Sequence, residues 1–417
     1  MGETGKASEI TDSHVKHTFA FCDEVVENFP GRVAGSEAVR KAGLRVREEF
    51  EKCCDAGTVR VEQFDIHPWS FLKYIPGLVV LYFACIALLY FNPALAWISL
   101  TGMALGLFVF YGQFVRYWHL LDPFFPKQQA YNIYGSIEPS GEVKQQIVIS
   151  AHHDAAYVFH LLDRLPKYYA PLINGGILFL VLGFLVSLAA TLMALFNMLL
   201  PQWAAIVLMA GGIFVLPLAF FTTGQVVPGA GDNMIAVAIA SEIGGLFGNI
   251  KKTGGNALKH TRLIIASFDA EEAGLRGASA FIKQHRAELL NTKTYVLNLD
   301  TLYKLKALSF LDKDLNSTVK LSHQLAQDCV DIAKDMGYPS TISAMTFGGG
   351  ATDAAAFGQA GIEATNLCAM SFDIKDYDQG WVYHTPRDLS KHIEPQAVEA
   401  ALKIIREYVL KKDAVAG

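Results

Sequence analysis

Charged side chains are scarce in this sequence of 417 residues, where Asp, Glu, Lys and Arg together make up 18%. Soluble proteins usually carry about 25%. The net charge of −5 is mild, and no basic tail or stripe is present. Nucleic acid is therefore excluded as the expected partner. The low charge also indicates that part of the chain faces something other than water.

Paired cysteine motifs are absent as well. None of the six cysteines has C-x-x-C spacing, which argues against a disulfide framework and suits a reducing compartment. The N-terminus, MGETGKASEITDSH, has no hydrophobic segment, so we expect no cleavable signal peptide. Lys6 stands where a myristoylation signal at Gly2 would need Ser or Thr. The cysteines are Cys22, Cys53, Cys54, Cys85, Cys329 and Cys368.

Two long stretches carry no charged side chain at all. The first runs from Tyr74 to Val115 and the second from Tyr168 to Gly231. A single membrane crossing needs about 20 apolar residues. Each stretch is interrupted by a turn signal, at Asn92-Pro93 in the first and around Asn197 and Pro201 in the second. We therefore predict two helical hairpins with crossings at about 75–93, 96–115, 172–196 and 202–221.

The basic residues that flank these hairpins predict their orientation. A hairpin returns to its starting side, so all polar parts of the chain share one side. The hairpin tips carry no Lys or Arg, whereas Lys73, Arg116, Arg164 and Lys167 lie on the polar side. By the positive-inside rule that side is the cytoplasm. We therefore expect a multi-pass integral membrane protein with its polar part in the cytoplasm, and the sequon at Asn316 would matter only in the opposite orientation.

The predicted organisation is one polar domain interrupted twice. Its pieces are 12–70, 119–167 and 223–417, and the hairpins occupy 71–118 and 168–222. Strands such as IVIS, LIIAS and YVLNL are continuously apolar and alternate with helices. This pattern is typical of an α/β fold with a mostly parallel central sheet covered by helices on both faces. Such folds place their sites beyond the C-terminal ends of the strands.

Several helices have recognisable ends. We predict one helix between Ser36 as N-cap and Gly57 as its stop, and another from Gly274 to about Leu290. A further helix is expected from about Ser317 to Met336. The last helix should begin at Pro395, a suitable residue for a first turn. The segment TVRVEQFDI alternates like a strand, and NIYGSIE and QQIVISA read as two strands joined by a polar turn.

Metal-binding side chains follow the central strands. Imidazole and carboxylate groups are zinc ligands, and two imidazoles with three carboxylates suit a pair of zinc ions that share one carboxylate. One further carboxylate could act as a base. Each residue alone is more often a cap, turn or surface residue, so the prediction depends on their order and placement. They are His152-His153-Asp154 after IVISA, Asp232 before a helix, Glu271-Glu272 after LIIASFDA, Asp300 after YVLNL, and His384 in WVYHTPRD.

These motifs resemble those of the zinc aminopeptidase family, metallopeptidase family 28 of clan MH. That family includes leucyl aminopeptidases, glutamate carboxypeptidase-like enzymes and glutaminyl cyclases. The resemblance runs from about residue 12 to the C-terminus, interrupted by the hairpins. FPGRVAGSEAVRKAG resembles the opening helix of the family. GGGATDAAAFGQAGIEATNL resembles its late loop and strand, with Asp353 and Phe357 in the usual places.

The resemblance implies a role for each residue. Asp232 would bridge two Zn²⁺ ions, His152 and Asp300 would complete one ion, and Glu272 and His384 the other. Glu271 would be the general base that activates a metal-bridging water. Asp154 would hold the His152 imidazole in the correct tautomer, which leaves His153 as a spacer facing the other way. A cis peptide bond is implied at Asp232-Asn233. Met234 and Ile235 depart from the small residue and Gly of the family and could crowd the pocket.

The expected function is an aminopeptidase that removes N-terminal residues from peptides, including apolar peptides released from membrane proteins. The second hairpin separates Asp154 from Asp232, so the site should lie near the membrane surface. The alternatives are a carboxypeptidase, an N-acyl amino acid amidase, a glutaminyl cyclase or a non-catalytic receptor-like relative. Cyclases of this kind use one zinc, so the complete ligand set favours hydrolysis. The sequence leaves open the side-chain preference, the native metal and the oligomeric state.

Overall fold

The computed structural model describes residues 9–255, 258–377 and 380–416. Gly2 and Lys6, which bear on the expected absence of a signal peptide and of myristoylation, lie outside the described residues. The chain forms two compact units. The first comprises the described parts of Met1–Pro68, Lys127–Ala156 and Gln225–Gly417, and the second comprises Trp69–Pro126 and Tyr157–Gly224.

The second unit is larger than the two predicted hairpins because it also includes residues 69–70, 119–126, 157–167 and 223–224. Hydrogen bonds explain why these connecting segments belong to it. The Ser70 hydroxyl donates to the Asp122 carboxylate (2.6 Å) and the Gln113 amide donates to the Ser70 carbonyl (2.9 Å). The His160 backbone N–H donates to the Phe221 carbonyl (3.0 Å). These polar contacts hold the connecting segments to the apolar helices, and hydropathy alone does not reveal them.

The first unit is built on a nine-stranded mixed sheet with the order β1-β2-β6-β3-β7-β11-β8-β10, and β9 pairs with β8. Its four central strands, β6, β3, β7 and β11, are mutually parallel. The predicted parallel sheet is confirmed at this centre, whereas β1, β2 and β8 pair antiparallel towards the edges. The strands are β1 (Arg60–Ile66), β2 (Gln128–Ile137), β3 (Gln145–His152), β6 (Thr261–Phe268), β7 (Lys293–Leu302), β8 (Ser309–Asp314), β9 (Val319–Lys320), β10 (Thr341–Ala344) and β11 (Glu363–Ala369).

Strands β2 and β3 are consecutive in the chain but are not neighbours in the sheet. Strand β6 lies between them, antiparallel to β2 and parallel to β3. All eight residues of β3 are buried, which explains its continuously apolar run, because a central strand covered on both faces has no solvent side.

Helices cover both faces of the sheet, as predicted. One face packs against α1 (Asp12–Asn28), α2 (Glu37–Cys53), α8 (Ile235–Lys252), α10 (His323–Asp335) and α12 (Pro395–Val415). The other face packs against α9 (Arg276–Asn291) and α11 (Asp353–Gln359). On that second face the rings of Phe268, Phe281 and Phe357 contact one another with centroid separations of 5.4–6.4 Å.

The predicted helix ends were right in two places and wrong in two others. Ser36 is the N-cap of α2, with its hydroxyl accepting a hydrogen bond from the Val39 N–H (3.1 Å), and α12 begins at Pro395. Helix α2 ends at Cys53, because Cys54 is extended and Gly57 lies in the turn beyond it.

The predicted helix from Ser317 begins only at His323. Leu315, Asn316 and Ser317 have φ values of 46°, 53° and 62°, which no right-handed helix allows. Val319–Lys320 then pairs with β8, and Ser322 caps the helix by accepting from the Leu325 N–H (3.3 Å). The sequon residue Asn316 is buried, and its side-chain oxygen accepts from the Gly348 N–H (2.9 Å).

The second unit contains two pairs of long apolar helices. Polar groups inside it are satisfied locally: the Tyr82 hydroxyl donates to the Leu208 carbonyl (2.7 Å) and the Ser99 hydroxyl to the Cys85 carbonyl (2.9 Å). Its elements are α3 (Ile75–Phe91), α4 (Ala96–Phe110), α5 (His160–Arg164), α6 (Pro166–Leu195), α7 (Gln202–Val215), and the short paired strands β4 (Tyr157–Phe159) and β5 (Thr222–Val226).

Five helical segments of the described chain are long and apolar enough to cross a membrane. Four of them coincide with the predicted crossings. The fifth, Ala230–Lys252, belongs to the first unit, and 83% of its apolar stretch is buried within the protein. The five segments are Pro68–Phe91, Pro93–Val115, Pro166–Leu195, Gln202–Phe220 and Ala230–Lys252.

Candidate metal centre

Three adjacent parallel strands bring predicted site residues to one edge of the sheet. His152 is the last residue of β3, and Asp300 lies near the end of β7, its neighbour. Glu271 and Glu272 follow β6, the neighbour on the other side, by three and four residues. Since parallel strands end at the same edge, residues more than 140 positions apart in sequence come together there.

Asp232 and His384 reach this edge from outside the sheet. Asp232 lies in the turn before α8, and its peptide bond with Asn233 is cis, as the resemblance implied. His384 lies in the loop before α12 with a φ of 52°, a left-handed conformation that the sequence does not reveal. The structure thus assembles all five predicted ligands, although their roles as ligands stay predictions.

The two imidazoles face different oxygens of one carboxylate. His152 Nε2 lies 3.2 Å from Asp232 Oδ1, and His384 Nε2 lies 2.9 Å from Asp232 Oδ2. Asp300 Oδ2 is 3.9 Å from His152 Nε2, and Glu272 Oε1 is 3.1 Å from His384 Nε2. Two groups therefore share Asp232: His152 with Asp300 on one side, and Glu272 with His384 on the other, each with ligand atoms within 4.8 Å of one another.

The side chains of the centre are better suited to bind a cation than to hydrogen-bond with one another. His152 Nε2, Asp232 Oδ2 and Glu272 Oε1 are buried and make no hydrogen bond with the described residues. Buried polar atoms normally have a partner. The carboxylates also outnumber the imidazoles, and buried negative charge of this kind needs a compensating cation. Nitrogen and oxygen donors in this mixture suit zinc.

Burial and mutual charge perturb the pKa values of these groups in different directions. Burial raises the pKa of Glu272 and raises that of Asp300 to about 7. Although burial acts against it, Glu272 and Asp232 raise the pKa of His384 to about 10. Burial would likewise raise the pKa of Asp232, but the two imidazoles hold it below its ordinary value. The shared carboxylate is therefore the group most strongly favoured as an anion.

Glu271, the predicted base, lies beside the first group. Its Oε2 is 3.8 Å from His152 Nε2, and its side chain is buried. Burial raises the pKa of Glu271 well above its ordinary value. A raised carboxyl pKa is typical of groups that accept and return a proton near neutral pH.

Asp154 supports more of the site than the sequence indicated. Its Oδ1 and its backbone carbonyl oxygen each lie 3.3 Å from His152 Nδ1, as expected for a residue that fixes the imidazole tautomer. Its two carboxylate oxygens also accept hydrogen bonds from the backbone N–H groups of Glu271 and Glu272, each at 3.1 Å. Asp154 thus holds the end of β3 and the Glu271-Glu272 segment together.

Two supporting residues were missed from the sequence. The Asn233 side chain donates to the Leu299 carbonyl (2.8 Å) and accepts from the Thr301 N–H (3.3 Å), so it holds the backbone on both sides of Asp300. Asp388 accepts from the Gly231 N–H (2.7 Å) and the Asp232 N–H (3.3 Å). Asn233 directly follows Asp232, and Asp388 ends the WVYHTPRD motif that contains His384, so these positions were the available signal.

Asp353, noted in the late loop, is also at the site. It is fully buried, and neither carboxylate oxygen has a hydrogen-bond partner among the described residues. Burial raises its pKa well above the ordinary value, although His152 lowers it and Asp300 raises it further. Asp353 is therefore a polar group of the centre that no hydrogen bond from the described part of the chain satisfies.

The remaining expectations concern residues that should not bind metal. His153 turns away from the centre, with its Nδ1 2.8 Å from the Ser267 hydroxyl, as expected for a spacer. Met234 and Ile235, which were expected to crowd the pocket, are fully buried in the hydrophobic core of the first unit.

The chain is similar to known proteins in part of its sequence and in its fold. Residues 216–409 match the model of Peptidase family M28. No curated protein sequence matches the chain. Among solved structures, a Zn-dependent exopeptidase from Parabacteroides distasonis is similar with a TM-score of 0.53 and 15% identity, over 95% of this chain and 97% of that one.

Two further structures have related folds. BSAP, a zinc aminopeptidase from Bacillus subtilis, is similar with a TM-score of 0.55 and 15% identity, over 95% of each chain. Porphyromonas gingivalis glutaminyl cyclase is similar with a TM-score of 0.55 and 14% identity, over 95% of this chain and 98% of that one. At these identities the structures show the fold alone, which is zinc exopeptidase-like. The match to the family model over residues 216–409 and this fold agree with the resemblance to metallopeptidase family 28.

Proposed function

We propose that this protein is a membrane-anchored dizinc aminopeptidase. The observation that carries the proposal is the position of Asp232, whose two carboxylate oxygens face His152 on one side and His384 on the other. A carboxylate with one imidazole at each oxygen is suited to bridge two ions. With Asp300 and Glu272, each ion would have three protein ligands and would keep open positions for water and substrate, as catalytic zinc sites do.

The residues divide the chemistry between them. When bound, a zinc pair supplies a Lewis acid for the scissile carbonyl and lowers the pKa of a nearby water. The Glu271 carboxylate takes the proton from the attacking water and gives it to the leaving amine. Asp154 orients the His152 imidazole through Nδ1 and fixes the backbone of Glu271, so the base and the ligand keep their spacing.

The charge of the centre supports an aminopeptidase. A free N-terminus is a cation, and two buried carboxyl groups of the centre, those of Glu271 and Asp353, are not assigned to zinc. The carboxylate of Asp353 has no hydrogen-bond partner in the described chain. Such a site attracts a substrate ammonium more strongly than a substrate carboxylate.

Exposure of apolar side chains supports the membrane anchor. Most of the large hydrophobic side chains exposed in the described residues lie in the second unit. Exposed apolar side chains in this number are typical of a surface that contacts lipid or another protein. Trp97 and Trp203 are exposed near the starts of α4 and α7, where interfacial tryptophans are expected.

The chain connections suggest which substrates would be favoured. The insertion that contains the second pair of long helices leaves the first unit at Ala156, just after Asp154, and returns at Gln225, shortly before Asp232. We therefore propose apolar or membrane-derived peptides as substrates. The basic flanks at Lys73, Arg116, Arg164 and Lys167 place the first unit on the cytoplasmic side in this proposal.

A substrate panel tests the proposed activity. The full-length protein in lipid nanodiscs is loaded with zinc and offered a leucyl anilide, the same anilide with a blocked N-terminus, and a peptide with N-terminal Gln. We expect hydrolysis of the free anilide only. Cyclisation of the Gln peptide without hydrolysis would favour a glutaminyl cyclase, the second candidate, since such cyclases share the fold. Cleavage of the blocked anilide would favour an amidase.

Protease protection tests the proposed orientation. In sealed inside-out vesicles the first unit should be digested and the long apolar helices protected. Digestion of the first unit from the opposite side would contradict a cytoplasmic site. A glycosylation reporter at the existing sequon would be a poor substitute, because Asn316 is buried and hydrogen-bonded in the folded unit.

A further inference from the structure

Arg32 is a buried cation whose hydrogen bonds all reach backbone carbonyls. It lies in the loop between α1 and α2 and is 1% exposed. Its Nε donates to the His153 carbonyl (3.1 Å), and its Nη2 donates to the carbonyls of Pro228 (2.9 Å) and Gly229 (3.0 Å). Among the residues that the structure describes, no carboxylate lies within ion-pair distance of Arg32. Burying an arginine without a paired carboxylate costs free energy of folding, and hydrogen bonds from the guanidinium are needed to offset that cost.

The carbonyls that Arg32 contacts belong to two segments of the candidate metal centre. His153 lies between His152 and Asp154, and Gly229 lies three residues before Asp232. The two segments are separated in the chain by the insertion Tyr157–Gly224. Arg32 therefore connects two parts of the centre that the chain itself holds together only through this insertion.

Backbone contacts at the same place strengthen the connection. The Ala155 N–H donates to the Arg32 carbonyl (2.8 Å), and the Val227 N–H donates to the Ala156 carbonyl (3.0 Å). Gly229 has a φ of +69°, and a Cβ at this position would lie 2.9 Å from Arg32 Nη2. The segment before Asp232 is thus shaped to accept the guanidinium closely.

The planar guanidinium group, a fork of N–H donors, explains why the residue is an arginine. Nε and Nη2 point in fixed directions, so one group reaches His153 on one segment and the Pro228-Gly229 pair on the other. A lysine ammonium could donate to one segment but has no rigid geometry with which to set the distance between two. Asp154, Asn233 and Asp388 join other pairs of segments around the centre, and Arg32 joins the His152 and Asp232 segments.

We propose that Arg32 is a positioning residue of the metal centre, which sets the distance between the His152 and Asp232 segments across the insertion. The proposal rests on the proposed function, since it requires that both residues hold zinc. It predicts that loss of the fork weakens zinc binding and turnover per folded molecule, without changing contacts to the substrate.

The test compares four variants of the full-length protein in lipid nanodiscs. Arg32→Met removes the charge and the fork, and Arg32→Lys keeps the charge alone. Gly229→Ala adds a methyl group against Nη2. Arg40→Met is the matched control, because Arg40 is a partly exposed arginine on α2 that pairs with Glu37. Zinc affinity is measured by competition with a zinc-binding dye, and kcat and KM are measured on a leucyl anilide.

We expect Arg32→Met to weaken zinc binding by about 10- to 100-fold, the usual effect of losing a group that orients metal ligands. Arg32→Lys and Gly229→Ala should weaken it by smaller factors, and Arg40→Met should match the wild type. The kcat value should fall while KM stays within about twofold, because Arg32 is not placed to contact substrate.

The proposal would be overturned if Arg32→Met had the zinc affinity and the kcat per folded molecule of the wild type, even if the yield of folded protein fell. If Arg32→Met does not fold, Arg32→Lys and Gly229→Ala provide the test instead. Zinc affinity equal to the wild type in both of these variants would refute the proposal. A wild-type protein that binds no zinc would refute the proposed function and this inference with it. If the wild-type protein binds zinc and hydrolyses the anilide, the proposed function is supported, and the variants alone then decide the role of Arg32.

Discussion

Helices α8 and α6 are both apolar and both long enough to cross a membrane, yet they are covered differently. In the segment Ala230–Lys252, which contains α8, 83% of the apolar stretch is buried within the protein. In Pro166–Leu195, which is α6, only 17% is buried. Ile239 on α8 is fully buried, whereas Ile206 on α7 is 54% exposed.

This difference shows that the apolar sequence of a helix does not reveal whether protein or another environment covers it. The sheet and the surrounding helices exclude water from α8, and burial of its side chains stabilises the first unit by about 25 cal/mol per Å² of apolar surface. Nothing in the described chain covers most of α6, and under the proposed membrane anchor lipid would cover its apolar side chains. The first unit thus derives its stability from its own core, and the second is expected to derive much of its stability from its surroundings.

The largest expected effect tests whether function belongs to the first unit alone. Glu271→Gln removes the proposed proton acceptor but preserves the shape of the side chain. We expect kcat to fall by about 100- to 10,000-fold, because general base catalysis contributes factors of this size. Zinc content and membrane association should not change. Turnover is measured on a leucyl anilide in lipid nanodiscs.

Glu48→Gln is the control for that experiment, since Glu48 is exposed on α2. It should leave kcat unchanged. Retention of more than half of the wild-type turnover in Glu271→Gln would show that the base has been assigned to the wrong residue.

A matched pair of isoleucines tests the comparison directly. Ile239→Ala opens a cavity in a packed core and should lower the free energy of unfolding of the first unit by about 2–5 kcal/mol. Ile206→Ala removes the same atoms from an exposed position and should cost less than about 1 kcal/mol. The change in the free energy of unfolding of each variant is measured by thermal unfolding in nanodiscs, with the loss of activity as the signal. Equal losses would mean that another surface covers α7 in the native protein.

Metal removal should affect the two units unequally. A ligand present at 100 times its dissociation constant stabilises the folded state by about 2.7 kcal/mol, and the candidate ligands all lie in the first unit. A chelator should therefore increase hydrogen exchange in β3, β7 and α8 and leave α3 and α6 unchanged. Hydrogen exchange with mass spectrometry resolves the units, and equal increases in both would contradict this assignment.

The smallest expected effect concerns Asp388. Asp388→Asn replaces an acceptor of two backbone N–H groups with an amide, and it should weaken zinc binding by about tenfold through the Asp232 backbone. Dye competition measures the affinity. Asp335→Asn, at an exposed position at the end of α10, is the control and should bind zinc as the wild type does. If the two variants behave alike, Asp388 does not position Asp232.

Local signals in the sequence were sufficient for several elements. The Ser36 N-cap, the first-turn Pro395 and the apolar runs of β3, β6 and β7 each depend on neighbouring residues, and the structure confirms them. Elements that depend on distant partners were not predictable in this way. The sequence indicated a helix from Ser317, but pairing of Val319–Lys320 with β8 and three left-handed residues delay it to His323.

The candidate site shows the same division. The candidate ligands, the proposed base and the support from Asp154 were predicted from side-chain chemistry at strand ends and from the family resemblance. The second bonds of Asp154, to the backbone of Glu271 and Glu272, do not follow, nor do those of Asn233 to the strand of Asp300. These contacts join segments 66 to 118 residues apart, and a single sequence contains no local trace of such pairings.

The sequence by itself therefore determined the inventory: apolar stretches that need a non-aqueous environment, strands for a parallel sheet, and the metal-binding side chains with their order. Tertiary structure alone decided that α8 lies in a protein core, that Asp232 stands between two imidazoles, and that Arg32 joins the segments on either side of the insertion. The physical reason is that chemistry and hydropathy are properties of each residue, whereas burial, distance and the satisfaction of hydrogen bonds are properties of residues brought together by the fold.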